Sequence, residues 1–330
     1  MAHFAVVGAT TWGVTLSWLL AMNGHSVSLV CRTSAEADAV AARRGLPRLP
    51  ELTLPREVRP TAVAAKLENL SGIVLAVPAQ AVRQVFAETR LARDLPILSA
   101  AKGIETGTEM LMSEVAVKAG WPGRLVAALS GPNLAHEIAR GLPAAAVVAG
   151  EDACSQMWQV ALNQNNFRVY RSDDITGVEV GGALKNVIAI AVGAASGLGA
   201  GMNATAALLT RGLAEMTRLG LALGADPGTF LGLSGIGDLV ATCYSPLSRN
   251  RRFGEMLAAG TVANDALRAI GEAVEGVETA RSAIILARRH AVEMPITAEV
   301  AALINGETSL SGAVTRLLAR PPQSEGPQAG

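Results

Sequence analysis

Aromatic side chains are scarce in this sequence: Phe, Trp and Tyr together make up 3% of 330 residues. Cysteine is scarcer still, with three copies, and neither sign of charge is in excess, because 28 Lys and Arg face 28 Asp and Glu. Each shortage excludes something. Three cysteines cannot build a disulfide framework and point to a reducing compartment. A neutral chain lacks the basic excess of a dedicated nucleic-acid or anionic-membrane binder. Long unbroken apolar runs are missing too. Residues 1–30 carry no Asp, Glu, Lys or Arg, but no basic segment opens them, and Trp12, Gly13, Asn23, Gly24 and His25 interrupt them, which argues against a secretory signal. The charge-free stretch from Asn186 to Thr210 is diluted by Gly193, Gly197, Gly199 and Gly201 below what a membrane span requires. No integral membrane segment and a cytoplasmic location are expected. The histidines and cysteines are scattered, so no metal site is expected.

What is present is apolar mass without rings: half the residues are hydrophobic, which excludes a disordered chain, and 34 are glycine. The length suggests two domains at about 150 residues each. The first half alternates short apolar, β-like runs with helical patterns. Strands are expected at Phe4–Val7, Val27–Val30, Ile73–Val77, Pro96–Ser99, Leu125–Leu129, Ala145–Ala149 and Phe167–Tyr170. Continuous apolar strands are buried on both faces, which implies a parallel sheet with helices on either side. From about Ile175 the β-like runs stop and Ala/Leu/Gly helical patterns follow, with Asp226-Pro227 reading as a helix start. The expected organisation is an α/β domain at 1–175, an all-helical domain at 176–320, and a disordered tail at 321–330.

The turn Gly8-Ala9-Thr10-Thr11-Trp12-Gly13 lies between the first strand and the first helix. That is the place of a Rossmann-type dinucleotide fingerprint, where a pyrophosphate rests on the helix N-terminus. The usual pattern is G-x-G-x-x-G. Thr10 replaces its middle glycine, and a Cβ there is expected to crowd the phosphates. After the second strand, Cys31-Arg32-Thr33 offers no carboxylate for ribose hydroxyls. Arg32 either pairs with a 2′-phosphate, favouring NADP, or stacks on adenine without discriminating NAD from NADP.

Further polar residues stand where a ligand of such a sheet lies, outside the carboxyl ends of the strands. Lys102 follows one strand, and Ser130-Gly131-Pro132-Asn133 follows another. Lys102 is either a surface lysine or a point charge for a phosphate or carbonyl. Lys185, inside an apolar helix beside Asn186, is either a general base with a lowered pKa or a lysine snorkelling to water. Asp238 is either a substrate ligand, a brace for Lys185, or a plain helix N-cap, and spacing alone favours the cap. Ser248-Arg249-Asn250-Arg251-Arg252 suits a phosphate or a solvated basic face. Glu275 by spacing alone is a surface acid.

Together these residues resemble the bacterial NAD(P)-dependent glycerol-3-phosphate dehydrogenase family. Val180–Ile190, Thr210–Met216, Gly237–Cys243, Ser248–Gly254, Val274–Gly276 and Met294–Thr297 stand in that family's order and spacing, and the resemblance runs from residue 4 to 318. It implies interconversion of sn-glycerol 3-phosphate and dihydroxyacetone phosphate with NADP or NAD, supplying phospholipid synthesis, in a homodimer. It implies Lys185 as the proton acceptor. Lys102, Gly131, Asn133, Lys185, Asp238, Ser248, Arg249 and Asn250 would line the substrate site. Gly8, Thr11, Trp12, Gly13, Arg32, Lys102, Ala135, Arg249, Ala273 and Glu275 would meet the nucleotide. Two positions depart from the family pattern: Thr10 replaces glycine, and Asn133 stands where Ser or Thr is usual. The competing readings are a related reductase of another small oxo acid, of ketopantoate type, and a catalytically silent dinucleotide-binding protein.

Overall fold

The computed structural model describes residues 1–62, 67–89 and 91–321. Eight strands form one sheet: β1 (His3–Val7), β2 (Ser26–Val30), β3 (Val58–Thr61), β4 (Gly72–Leu75), β5 (Ile97–Ser99), β6 (Val126–Ser130), β7 (Ala144–Gly150) and β8 (Phe167–Ser172). Their order is β3-β2-β1-β4-β5-β6-β7-β8. Side chains alternate across the sheet with the period of two that a strand imposes. Phe4 and Val6 enter one core layer with Leu29, Leu98 and Trp158, while Ala5 and Val7 enter the other with Ile73, Leu75 and Trp121. Helices cover both layers: α1 (Thr11–Met22), α2 (Ser34–Arg43), α3 (Val82–Glu88), α4 (Met112–Lys118), α5 (Ala135–Ala139) and α6 (Asp152–Leu162).

The structure corrects the expected sheet in two places. The edge strand β3 was not expected, because Arg59 and Pro60 break its apolar pattern. It pairs only with β2, and an edge tolerates a proline that a central strand does not. The sheet is also not wholly parallel: β7 runs antiparallel to β6, and β8 parallel to β7. An apolar run buried on both faces reads the same in either direction, so the reversal leaves no mark in the sequence. The other strands fall where expected, with ends displaced by up to two residues, as at Gly72–Leu75 in place of Ile73–Val77.

Beyond Ser172 the described chain is helical: α7 (Ile175–Gly197), α8 (Gly201–Ala222), α9 (Pro227–Phe230), α10 (Asp238–Tyr244), α11 (Arg249–Ala258), α12 (Ala263–Ile270), α13 (Glu275–Arg289), α14 (Pro295–Ile304) and α15 (Leu310–Leu318). Asp226 caps α9 as its spacing to Pro227 suggests. The central member is α7. It is long and apolar enough to cross a membrane by length and composition, yet most of that span is buried inside the molecule. Its first turn lays Val178 against Ala128, Val147 and Ala149 of the sheet. Its last turns meet α11 through glycine: a Cβ on Gly193 would overlap the Arg251 carbonyl, and one on Gly254 the Ile190 carbonyl. The tail expected to be disordered lies, beyond Pro321, outside the described residues.

Candidate active site

The carboxyl ends of β1, β2, β4, β5 and β6 open on one side, and the helical half closes over them. Between the two lies a cavity of about 880 Å³, within the range of a cofactor site. The sheet order reverses at β1 and β4, the switch point where such folds leave a crevice.

The turn after β1 forms one wall. Gly8 has φ +110°, and a Cβ there would sit 2.8 Å from the Ala76 carbonyl oxygen, so only glycine fits. Gly13 lies behind the turn rather than on the cavity, with no room for a Cβ against the Gly8 carbonyl. Thr10 differs from expectation. Its backbone is extended, open to any residue, and its hydroxyl faces the protein. Oγ1 accepts from the Gly13 N–H at 3.0 Å and donates to the Ala76 carbonyl at 2.7 Å. The side chain therefore caps α1 and ties the turn to the end of β4. Thr11 and Trp12 line the cavity, the Trp12 ring stands 6.4 Å from Phe167, and its buried indole N–H has no partner. Arg32 lines the far end beside Glu36, whose carboxylate accepts from the Arg32 N–H at 2.8 Å. Cys31 also lines the cavity, but burial pushes its thiol up to about 11, which leaves it protonated and inert.

The floor is a buried charge network. Asp238 begins α10 and is 1% exposed. It is not the cap that spacing favoured: Gly237 holds that position, and the carboxylate turns inward. Its Oδ2 accepts from Lys102 Nζ at 2.6 Å, and its Oδ1 accepts from Lys185 Nζ. Lys185, 7% exposed, also donates to Thr242 Oγ1 at 2.8 Å, and Lys102 to the Gly131 carbonyl at 3.1 Å. An ammonium has three donors. Each lysine therefore keeps one N–H, and both line the cavity. Burial pushes Lys185 down to about 8, against the raising effect of Asp238 and with the help of the Lys102 charge. Burial alone would raise the Asp238 carboxyl, but the two lysines together hold it below the usual carboxylate range.

The helix carrying Lys185 reaches this depth because of its glycines. A Cβ on Gly182 would stand 2.7 Å from Ser130 Oγ, so α7 lies directly on the end of β6. One turn later, Asn186 joins three elements: its Nδ2 donates to the Lys102 carbonyl at 3.4 Å, and its Oδ1 accepts from Asn250 Nδ2 at 2.9 Å. Asn250 Oδ1 accepts in turn from the Gly276 N–H at 3.0 Å. Both ends of the Asn250 amide are thus engaged inside the protein, behind the cavity wall it helps to form.

The remaining expected residues divide. Asn133, Arg249, Ala273 and Glu275 line the cavity with those already named. Both polar atoms of Asn133 are buried without a protein partner, as a group awaiting a ligand would be. Glu275 is not a surface acid: it opens α13, accepts from the Ala79 N–H at 3.2 Å, and burial pushes its carboxyl up to about 7. Gly131, Ala135, Asp238 and Ser248 stand beside or behind the cavity wall. Ser248 caps α11 through the Arg251 N–H. The arginine cluster splits by helical phase: Arg249 faces the cavity, while Arg251 turns to Glu255 and the Tyr244 carbonyl. Thr242, Arg48 and Glu272 were not expected. Thr242 is four residues after Asp238 on one helix face, a spacing that signals it. Arg48 and Glu272 sit in loops with no periodic signal.

Residues 3–155 match the family model described as the NAD-dependent glycerol-3-phosphate dehydrogenase N-terminus, and residues 174–315 match that described as its C-terminus. The chain belongs to the NAD-dependent glycerol-3-phosphate dehydrogenase family. It is 45% identical over 325 residues to the glycerol-3-phosphate dehydrogenase [NAD(P)+] of Halorhodospira halophila, covering 97% of this chain and 98% of that one. It is 46% identical over 327 residues to the enzyme of the same name from Streptomyces coelicolor, covering 97% of each. The crystal structure of glycerol-3-phosphate dehydrogenase from Coxiella burnetii superposes with a TM-score of 0.89 at 37% identity, over 97% of this chain and 99% of that one. Family membership separates the dehydrogenase reading from the ketopantoate-type alternative.

Proposed function

We propose that this chain interconverts dihydroxyacetone phosphate and sn-glycerol 3-phosphate with NADPH or NADH held along the turn Gly8–Gly13, supplying glycerol 3-phosphate for glycerophospholipid synthesis. The observation that carries the reading is a buried aspartate that holds two lysines, Lys185 buried and Lys102 part-buried, at the floor of a cofactor-sized cleft. The cleft suits a dinucleotide on its own geometry. Gly8 lets the backbone close tightly, Thr10 turns its hydroxyl away, and Asn133 and Trp12 present unpartnered polar atoms.

When bound, the nicotinamide supplies or accepts hydride. The protein's own groups handle charge and protons. In reduction Lys185 delivers a proton to the carbonyl oxygen as it becomes an alkoxide; in oxidation its neutral amine removes the hydroxyl proton. A pKa near 8 places both forms within reach at working pH. The free N–H of Lys102 stabilises the developing oxyanion. Asp238 and Thr242 fix Lys185, so the proton is held at one atom in one direction. Arg249 clamps the remote phosphate and also reaches the nucleotide, with Gly131, Asn133, Ser248 and Asn250 completing the substrate side. Thr11, Trp12, Arg32, Ala135, Ala273 and Glu275 complete the nucleotide side.

The organisation proposed is a dinucleotide domain at 1–175 and a helical catalytic domain at 176–320, working as a cytoplasmic homodimer. Light scattering on the purified chain tests the dimer. Oxidation of NADPH and NADH with dihydroxyacetone phosphate, set beside a 2-oxo acid, tests the reaction. Turnover with the triose phosphate and not the oxo acid is the expected outcome. Turnover with the oxo acid alone would reassign the site.

A further inference from the structure

At the mouth of the cleft Glu272 pairs with two arginines, Arg48 across the cleft and Arg249 on its own side, and the reaction described above uses neither pair. Arg48 comes from the loop between α2 and β3, on the sheet side. Its Nε donates to Thr11 Oγ1 at 3.0 Å and its NH2 group to the Ala9 carbonyl at 3.2 Å, so the guanidinium lies on the glycine turn itself. Glu272 comes from the connection between α12 and α13, on the helical side. Its Oε2 stands 3.9 Å from Arg48 Nε and 3.4 Å from Arg249 NH1. Arg48, Arg249 and Glu272 all line the cavity.

We propose that Arg48, Glu272 and Arg249 form an exchangeable clasp in which Glu272 is the protein's own anion, displaced by a phosphate group of the dinucleotide. After displacement Arg48 and Arg249 grip that phosphate from the two sides of the cleft. The inference rests on the dehydrogenase reading and adds to it a determinant of cofactor affinity.

Three observations carry it. A carboxylate that bridges two guanidiniums at the mouth of a cofactor cleft occupies the geometry a phosphate takes, because guanidinium recognises both anions with the same fork of donors. The pairs are about two-fifths exposed and longer than tight salt bridges, with side-chain exposures of 44% and 38% for Arg48 and Glu272. Exposed pairs of that kind contribute little to the fold, so exchanging one anion for another costs little. Finally, Arg48 is already anchored at Thr11 and Ala9 by two donors, and a guanidinium has five. It does not have to move to meet a phosphate over the turn. This anchoring points to the pyrophosphate rather than the 2′-phosphate.

The test is the dissociation constant of NADPH and of NADH, read from nicotinamide fluorescence without substrate, for the wild-type chain, Glu272→Gln, Arg48→Met and Arg48→Lys. Glu272→Gln removes the competing charge and is expected to bind both cofactors about fivefold tighter. Arg48→Met is expected to bind them at least about tenfold more weakly, with Arg48→Lys in between. Equal loss for the two cofactors assigns the pyrophosphate; a loss confined to NADPH assigns the 2′-phosphate. Unchanged or weaker binding in Glu272→Gln, or unchanged binding in Arg48→Met, overturns the clasp while leaving the dehydrogenase reading intact. A wild-type chain that binds neither cofactor overturns both.

Discussion

Asp238 decides the character of the site. One carboxylate, buried at the start of a helix, holds two ammonium groups, and the three together keep a single net positive charge facing the cavity. Removing it leaves the buried Lys185 and the part-buried Lys102 without compensation. Asp238→Asn is therefore expected to cost about 3–5 kcal/mol of stability, measured by denaturant unfolding, and to lower the Lys185 pKa below its value of about 8. Lys185→Ala is expected to lower kcat by about two to four orders of magnitude while NADPH still binds, because no cofactor-side contact is lost. Near-normal kcat in that variant would remove Lys185 from the proton path. The pH dependence has a definite sign. The amine loses its proton as pH rises through about 8, so kcat/KM for oxidation should climb to a plateau above that value. In the reductive direction it should fall over the same interval. Two profiles of the same slope would contradict the assignment. Thr10 supplies a check of a different kind. Its hydroxyl caps α1 and binds the Ala76 carbonyl, so Thr10→Ala should lose about 1 kcal/mol of stability, seen as a lower melting temperature.

The helices, not the loops, set the depth at which these groups sit. α7 meets α11 at Gly193 and Gly254, where any Cβ would enter a neighbouring carbonyl. Gly193→Ala must push the two helices apart, and Asn250, one residue into α11, moves away from Asn186 and Gly276 with it. A loss of about 1–3 kcal/mol is expected from overpacking, with a fall in kcat that a surface substitution of equal cost would not give. α7 also ties the two halves together through Glu179, whose carboxylate is buried and accepts from the Ser113 N–H at 2.9 Å, at the start of α4. Burial pushes Glu179 up from 4.5 to about 7. Between those values the folded chain holds a proton that the unfolded chain has released. The stability it contributes is complete below about pH 4.5 and is lost as pH rises through about 7. Glu179→Gln should thus show a shallower fall of melting temperature from acid to neutral pH than the wild-type chain. Parallel curves would remove Glu179 from the titration.

Much of this was legible along the chain and some was not, for identifiable reasons. Local patterns carried the turn Gly8–Gly13, the helix start at Asp226 and the lysine embedded in α7. The edge strand β3 was hidden by its own Arg59 and Pro60, which an edge accepts. The sequence offered Asp238 as a brace for Lys185 but spacing favoured a helix cap, since its partners lie 53 and 136 positions away. Glu275 read as a surface acid because burial of a carboxylate depends on packing from remote segments, here the loop around Ala79. The arginines of α11 looked like one patch only because the sequence is linear; two residues apart on a helix, Arg249 and Arg251 face about 200° apart.

The whole molecule places the turn Gly8–Gly13 on the sheet and Lys185 on the helical half, with the cleft formed where the two meet. The glycines that replace aromatic bulk serve that meeting: Gly8 and Gly13 close the turn, Gly182 seats α7 on the end of β6, and Gly193 and Gly254 seat α11 on α7. The deciding property of this joint cleft is whether it reduces a phosphorylated triose. The most direct measurement is the initial rate of NADPH and NADH oxidation by the purified full chain as dihydroxyacetone phosphate is varied. Saturable turnover that Lys185→Ala loses is the predicted result. Cofactor binding without any oxidation above background, with either nucleotide, would contradict it.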